Sequence, residues 1–233
     1  MNLYAGQNRV VKEKIIELCS REKLKVGEKE DYKDKWIDRR KYSRRIEDLA
    51  AHMEFLQYVT KKHINEREKA LSDVRKIIEM NSSCQKIYLW DPYLSANDII
   101  DTLFYCKIFN IEMKAITSRK VVELEEKDVN SDSSKLKKWF EKQKDILNTV
   151  DTTGINLEFR CQDSKYGFSF HDRFLIFISE DETSKVWSLG ISVNQLGKSH
   201  HIIQKTENPG YIADTFEMLW DELSDNSCLI WRS

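Results

Sequence analysis

The sequence predicts an α/β protein, a mixed β-sheet flanked by helices and preceded by a helical N-terminal region. Three observations predict it. Phe168 to Ile178 is apolar or aromatic at seven of eleven positions, without a break from Phe174 onward, the pattern of a strand covered on both faces. Between Lys86 and Thr117 an apolar run, a capped helical pattern and a second apolar run follow one another, which implies a parallel, right-handed crossover. Ahead of residue 84, apolar residues recur instead at spacings of three and four, the helical period. The division therefore falls at 84/85, with a helical region over 1–84 and an α/β domain over 85–233.

Residues 8–22 carry Val11, Ile15, Leu18 and Cys19 at helical spacing. The run from Lys33 to Arg45 then sets seven basic and two acidic residues among Trp36 and Tyr42. Such a mixture suits a nucleic-acid backbone, since cations neutralise phosphates and rings stack on bases; it equally suits a solvated helix face whose Trp packs inward. Arg39, Arg40, Arg44 and Arg45 are the residues of this run that would hold phosphates. From Ser43 to Met80 the spacing of Ile46, Leu49, Met53, Leu56, Ala70, Val74 and Ile77 predicts one long or two shorter amphipathic helices. His52 and His63 fall on no shared site.

Lys86 to Trp90 predicts a strand ended by Asp91-Pro92, because proline removes a ladder donor. Ser95 with Asp98 predicts a capping box, and Ile111 to Thr117 a second strand. Ligands of such sheets sit at the carboxyl ends of strands, which makes Asp91 a candidate substrate-binding residue as well as a candidate turn cap. The polar loop from Ser118 to Ser134 would be a mobile flap. A helix then carries Leu136, Trp139, Phe140, Ile146 and Leu147 to Gly154, and Ile155 to Cys161 alternates as a third strand, with Cys161 in the core. His200 to Lys205 predicts a further strand, on which His200 and His201 face opposite sides. A helix from Tyr211 to Leu223 follows.

Bulk properties exclude several classes. At 233 residues, 40% hydrophobic and 33% charged, the chain suits a charge-rich globular protein. No apolar run approaches the roughly 20 residues of a bilayer span, and the N-terminus lacks a signal-peptide core, which together predict a cytoplasmic protein. Five cysteines at 19, 84, 106, 161 and 228 have no CxxC spacing, against a zinc site, and neither a metal nor a cofactor is expected. The net charge of −1 hides an asymmetry, since residues 1–82 carry 20 Lys/Arg against 15 Asp/Glu and the remainder 18 against 24.

Chemistry concentrates between Gly167 and Asn194. Alternation along a strand would point His171 and Arg173 the same way, and Ser192 and Asn194 likewise. An imidazole, a guanidinium, a hydroxyl and an amide at adjacent strand ends make a cradle for a phosphate.

The pattern His171-Asp172-Arg173, followed by Gly190-Ile-Ser192-Val-Asn194, resembles the signature of the phospholipase D superfamily, H-x-K-x4-D followed by G-S-x-N. The run LGKSHHIIQK and the closing TFEMLW look like bacterial members of that superfamily. Here Arg173 stands at the lysine, Ile178 stands where the aspartate would be, and the motif occurs once. The resemblance implies a phospholipase D-like sheet over residues 85–223 and a metal-independent phosphodiesterase. In its mechanism one motif histidine attacks phosphorus and a second protonates the leaving oxygen. His171 would fill both roles across a homodimer with the site on its two-fold axis, while Arg173 grips phosphate and Ser192 and Asn194 orient oxygens and the ring. His200 stands where relatives place a carboxylate, as a further substrate contact. The basic N-terminal run favours nucleic acid, DNA or RNA, over membrane lipid, which makes the chain a nuclease of a bacterial defence or nucleic-acid-processing system. The alternative is a degenerate module that binds nucleic acid or a partner protein through its N-terminal helices, as a subunit of a larger complex.

Overall fold

The computed structural model describes residues 45–59, 65–122, 133–163 and 165–233. The helix expected at 8–22, the basic run as far as Arg44, His63 and most of the loop expected as a flap lie outside the described residues. Residues 49–233 form one compact unit.

That unit is an α/β fold around a mixed eight-stranded sheet. Its strands are β1 (Phe55–Tyr58), β2 (Lys86–Trp90), β3 (Glu112–Ser118), β4 (Asn156–Gln162), β5 (Phe174–Ile178), β6 (Ser184–Ser188), β7 (His201–Lys205) and β8 (Leu229–Arg232), in the spatial order β1-β7-β6-β5-β2-β3-β4-β8. β2, β3 and β4 are parallel. β5 runs antiparallel to β2, and β6 to β5. The carboxyl ends of β2, β3, β4 and β6 therefore share one edge with the amino ends of β5 and β7.

Helices α1 (Arg67–Met80), α2 (Ala96–Asp101) and α3 (Ser133–Asn148) cover one face, and α4 (Pro209–Glu222) lies on the other. This explains why IYLW (87–90) and FLIFI (174–178) are apolar throughout. Ile87 and Leu89 enter the first core while Tyr88 and Trp90 enter the second; Leu175 and Phe177 divide in the same way from Ile176 and Ile178. β4 alternates because only one of its faces is fully covered: Leu157, Phe159 and Cys161 are buried, whereas Arg160 lies over the Trp220 ring at 4.2 Å. Ser95 caps α2 through the expected box, its side chain accepting from Asp98 N–H.

N-terminal to residue 85 the structure adds a strand between the expected helices. Of the one long or two shorter helices expected over 43–80, the two-helix form is present, as a short helix over 45–51 and α1, but Leu56 is not helical: the first helix ends near Met53, whose φ of 59° leaves the right-handed helical region, and the chain continues as β1. β1 pairs antiparallel with β7, with Tyr58 opposite His201. The domain boundary at 84/85 falls inside the compact unit, because Ala70, Leu71, Val74, Ile77 and Ile78 of α1 belong to the same hydrophobic core as β2 and β3. Edge strand β8, beside β4, was not legible in the sequence.

His201 is buried, stacks on Tyr58 at 4.6 Å and donates through Nδ1 to Ser199 O at 2.9 Å. Burial pushes its imidazole below the usual histidine range. Because the folded value lies below the unfolded one, His201 contributes stability that is complete above about pH 6.5 and is lost as pH falls through the folded value. The urea midpoint is expected to drop between about pH 7 and pH 5, and His201→Phe to flatten that drop. An equal drop in the variant would assign it to other groups.

Candidate functional site

The shared sheet edge gathers the site. The last β2–β5 pair is Trp90 with Phe174, and beyond it β2 turns away at Asp91-Pro92. Without β2 beside them, residues 168–173 are not strand, although Arg173 O still accepts from Leu189 N–H at 2.9 Å, so the strand expected from Phe168 begins only at Phe174. Phe170 is buried against Trp90 at a ring distance of 5.3 Å, which anchors the stretch across the end of the second core. His171 and Asp172 are consequently exposed, and Arg173 is half-buried.

Ser192 and Asn194 are not on a strand either. Gly190 turns the chain at a φ of 68°, and a Cβ there would meet the Ile202 carbonyl oxygen at 2.4 Å. Only glycine fits both conditions. Ser192 then opens a 3-10 turn, with Gln195 N–H donating to Ser192 O at 2.8 Å. Gly190→Ala is expected to destabilise the protein by about 2 kcal/mol or more through strain and overlap. A urea midpoint within error of wild type would contradict this.

Asp91 joins the two halves. It is fully buried, its Oδ1 accepts from Tyr93 N–H at 2.9 Å, and its Oδ2 accepts from Val193 N–H at 2.7 Å. It is thus both a turn cap and the tie that holds the Ser192 turn against β2. Burial pushes its carboxyl up from the ordinary range, while the two N–H donors, the Ser192 hydroxyl and Arg173 pull it down. Arg173 Nε donates to Ser192 Oγ at 3.1 Å, and its guanidinium lies 5.8 Å from the Tyr93 ring. Asn194 Nδ2 donates to Tyr93 O at 3.4 Å, and its buried Oδ1 has no partner.

Two residues enter the site that sequence reasoning did not select. Lys120, just past the carboxyl end of β3, places its Nζ 3.2 Å from His171 Nε2. The ammonium donates, so Nε2 accepts and the ring proton sits on Nδ1. Tyr93 supplies the ring under Arg173. The signal for Lys120 was its position at the end of a parallel strand, where ligands of such sheets lie; reading Ser118 onward as a flap hid it.

The other described candidates make no contact with these groups that bears on the site. His200 is exposed, and its Nδ1 donates to Tyr58 O at 2.9 Å on the β1 side, a backbone role. Arg45 is exposed on the helix over 45–51. Cys161 is buried in the core as expected, and burial raises its thiol far above the usual range. Among the described residues no group of three or more His, Cys, Asp or Glu is arranged to hold a metal ion, and no helix is long and apolar enough to cross a membrane.

No protein-family model matches the chain, and no curated protein matches it. Among solved structures it is similar to TrmBL2, an archaeal chromatin protein whose structure shows a novel mode of DNA binding, at 13% identity over 91% of this chain and 69% of that one. The TM-score of 0.34 is too low to assign a shared fold.

Proposed function

We propose that the chain is a phospholipase D-like, metal-independent phosphodiesterase acting on nucleic acid, with His171 as nucleophile. The observation that carries this reading is the exposed His171 imidazole with Lys120 on its Nε2, beside an Arg173 tied through Ser192 to buried Asp91. Two cations and one unprotonated ring nitrogen converge at an open sheet edge, the arrangement a phosphodiester needs for charge neutralisation and in-line attack. An incoming phosphate oxygen competes for the Lys120 ammonium and so releases Nε2 toward phosphorus. Lys120 supplies the ammonium absent at position 173, and Asp91 supplies a carboxylate absent at position 178.

Attack forms a P–N bond and breaks a P–O bond, whose oxygen needs a proton. His200 and His201 are committed to the carbonyls of Tyr58 and Ser199; a second copy of the chain, with its site on a shared two-fold axis, would bring a second His171 as the acid. Purified protein is expected to cut single- or double-stranded DNA or RNA in EDTA. A folded dimer that cuts none of them would reject catalysis.

A second reading rests on the same single histidine. A site with one imidazole and two cations binds a phosphodiester without cleaving it. Retained nucleic-acid affinity with no turnover would support that reading.

A further inference from the structure

The shared edge carries a row of cations that extends past the central site. In strand order the row runs from Lys198, between β6 and β7, through Arg173 at β5 to Lys120 at β3 and Lys165 just after β4. Each of the first three is held by a neutral acceptor: Lys198 Nζ donates to Asn194 O at 2.6 Å, Arg173 to the Ser192 hydroxyl, and Lys120 to the His171 ring. Lys165 is exposed, with its Nζ 4.7 Å from the Tyr166 ring centroid. Arg173 also interacts electrostatically with buried Asp91, and Lys165 with Asp225 and Asp163.

Most of the described carboxylates of the same edge have hydrogen-bond or ion-pair partners. Asp91 accepts from two backbone N–H groups, Asp163 pairs with Arg119 at 3.3 Å, and Asp225 accepts from Ser227 and the Tyr166 hydroxyl. Asp172 and Asp225 are exposed carboxylates of this edge. The described edge therefore sets four cations, Lys198, Arg173, Lys120 and Lys165, in one row, within a stretch, residues 83–233, that carries 18 Lys/Arg against 24 Asp/Glu. Half-buried rings of Tyr93 and Tyr166 lie beside the cations.

We propose that a single-stranded polynucleotide lies across these strand ends, perpendicular to the strands, with Lys198 and Lys165 gripping phosphates on either side of the one held at Lys120, His171 and Arg173. This rests on the phosphodiester reading of the central site. Four inter-strand steps of about 4.8 Å set the row at roughly 20 Å. That length spans about six phosphates at the spacing of about 3.4 Å along one strand, and fewer in a stretched strand. One row of cations matches one backbone, and stacking on Tyr93 or Tyr166 requires unpaired bases.

The test measures binding of labelled oligo-dT and oligo-U, two to twelve nucleotides long, to the full chain in EDTA at several salt concentrations. Affinity should climb with length to about six nucleotides and then level. Lys165→Gln combined with Lys198→Gln should make the log-log salt slope shallower by about 1.4, at about 0.7 per lost contact, while Lys137→Gln on the exposed side of α3 should leave it unchanged. The proposal is overturned by affinity independent of length, by an unchanged slope in the double variant, or by a slope that responds only to charge removal at Arg39, Arg40, Arg44 and Arg45. Duplex bound as tightly as single strand would overturn it too. Hydrolysis of bis(p-nitrophenyl) phosphate reads the central site alone. Cleavage of that diester without length dependence would sink the row and leave the central site standing; no cleavage and no oligonucleotide binding would sink both.

Discussion

If the chain is the phosphodiesterase proposed, replacing His171 with alanine is expected to lower phosphodiester cleavage by about a thousand-fold or more, because on that proposal the substitution removes the attacking nitrogen. The side chain is exposed and makes its contact with Lys120 at the surface, so the fold should be untouched and thermal stability should stay within about 0.5 kcal/mol of wild type. Lys120→Ala should act differently. It leaves the nucleophile in place and removes one cation from the phosphate, with a loss of about ten- to a hundred-fold expressed largely in KM. Steady-state kinetics on a small diester in EDTA separates the two. Cleavage that persists in His171→Ala would remove this histidine from the chemistry, and equal losses in both variants would argue that Lys120 acts on the ring rather than on the substrate.

Asp91→Ala is expected to be the most destabilising single change at the site. The carboxylate is fully buried and satisfies the backbone N–H groups of Tyr93 and Val193. Each buried donor left unpaired costs about 1–3 kcal/mol. The combined loss should reach about 3 kcal/mol, a fall in Tm of roughly 6–12 °C for a unit of this size. Asp91→Asn stands in for the protonated acid and should cost less. The sign of the pH effect follows from burial, which raises the folded pKa. Asp91 then contributes stability that is present below the unfolded value and is lost as pH rises through the folded value, a slope that Asp91→Asn should remove. Denaturant midpoints measured across pH for wild type and both variants decide this. An alanine variant as stable as wild type would show that the Ser192 turn is held by other contacts.

Most of the sheet was legible in the sequence, because each core strand carries its own periodic signal. IYLW and FLIFI declare burial on two faces, and NLEFRC declares burial on one. The Ser95 box and the Asp91-Pro92 stop are local chemistry, read without tertiary knowledge. β1 escaped because its four residues follow a helical run and are stabilised by pairing with β7, a contact more than 140 residues away in the chain. β8 escaped for the same reason.

At the site, the residue types of the motif were determined by the sequence: an imidazole at 171, a guanidinium at 173, a hydroxyl at 192 and an amide at 194. Their geometry was decided only by tertiary structure. Residues 168–173 lack β2 beside them because it stops at Pro92, so His171 projects to solvent instead of sharing a strand face with Arg173. Lys120 reaches His171 from the end of a different strand, and Asp91 binds the Ser192 turn across about a hundred residues of chain. Local periodicity records which face of an element is buried, but no pattern within a segment records which distant segment ends beside it. That information resides in the order and register of the strands.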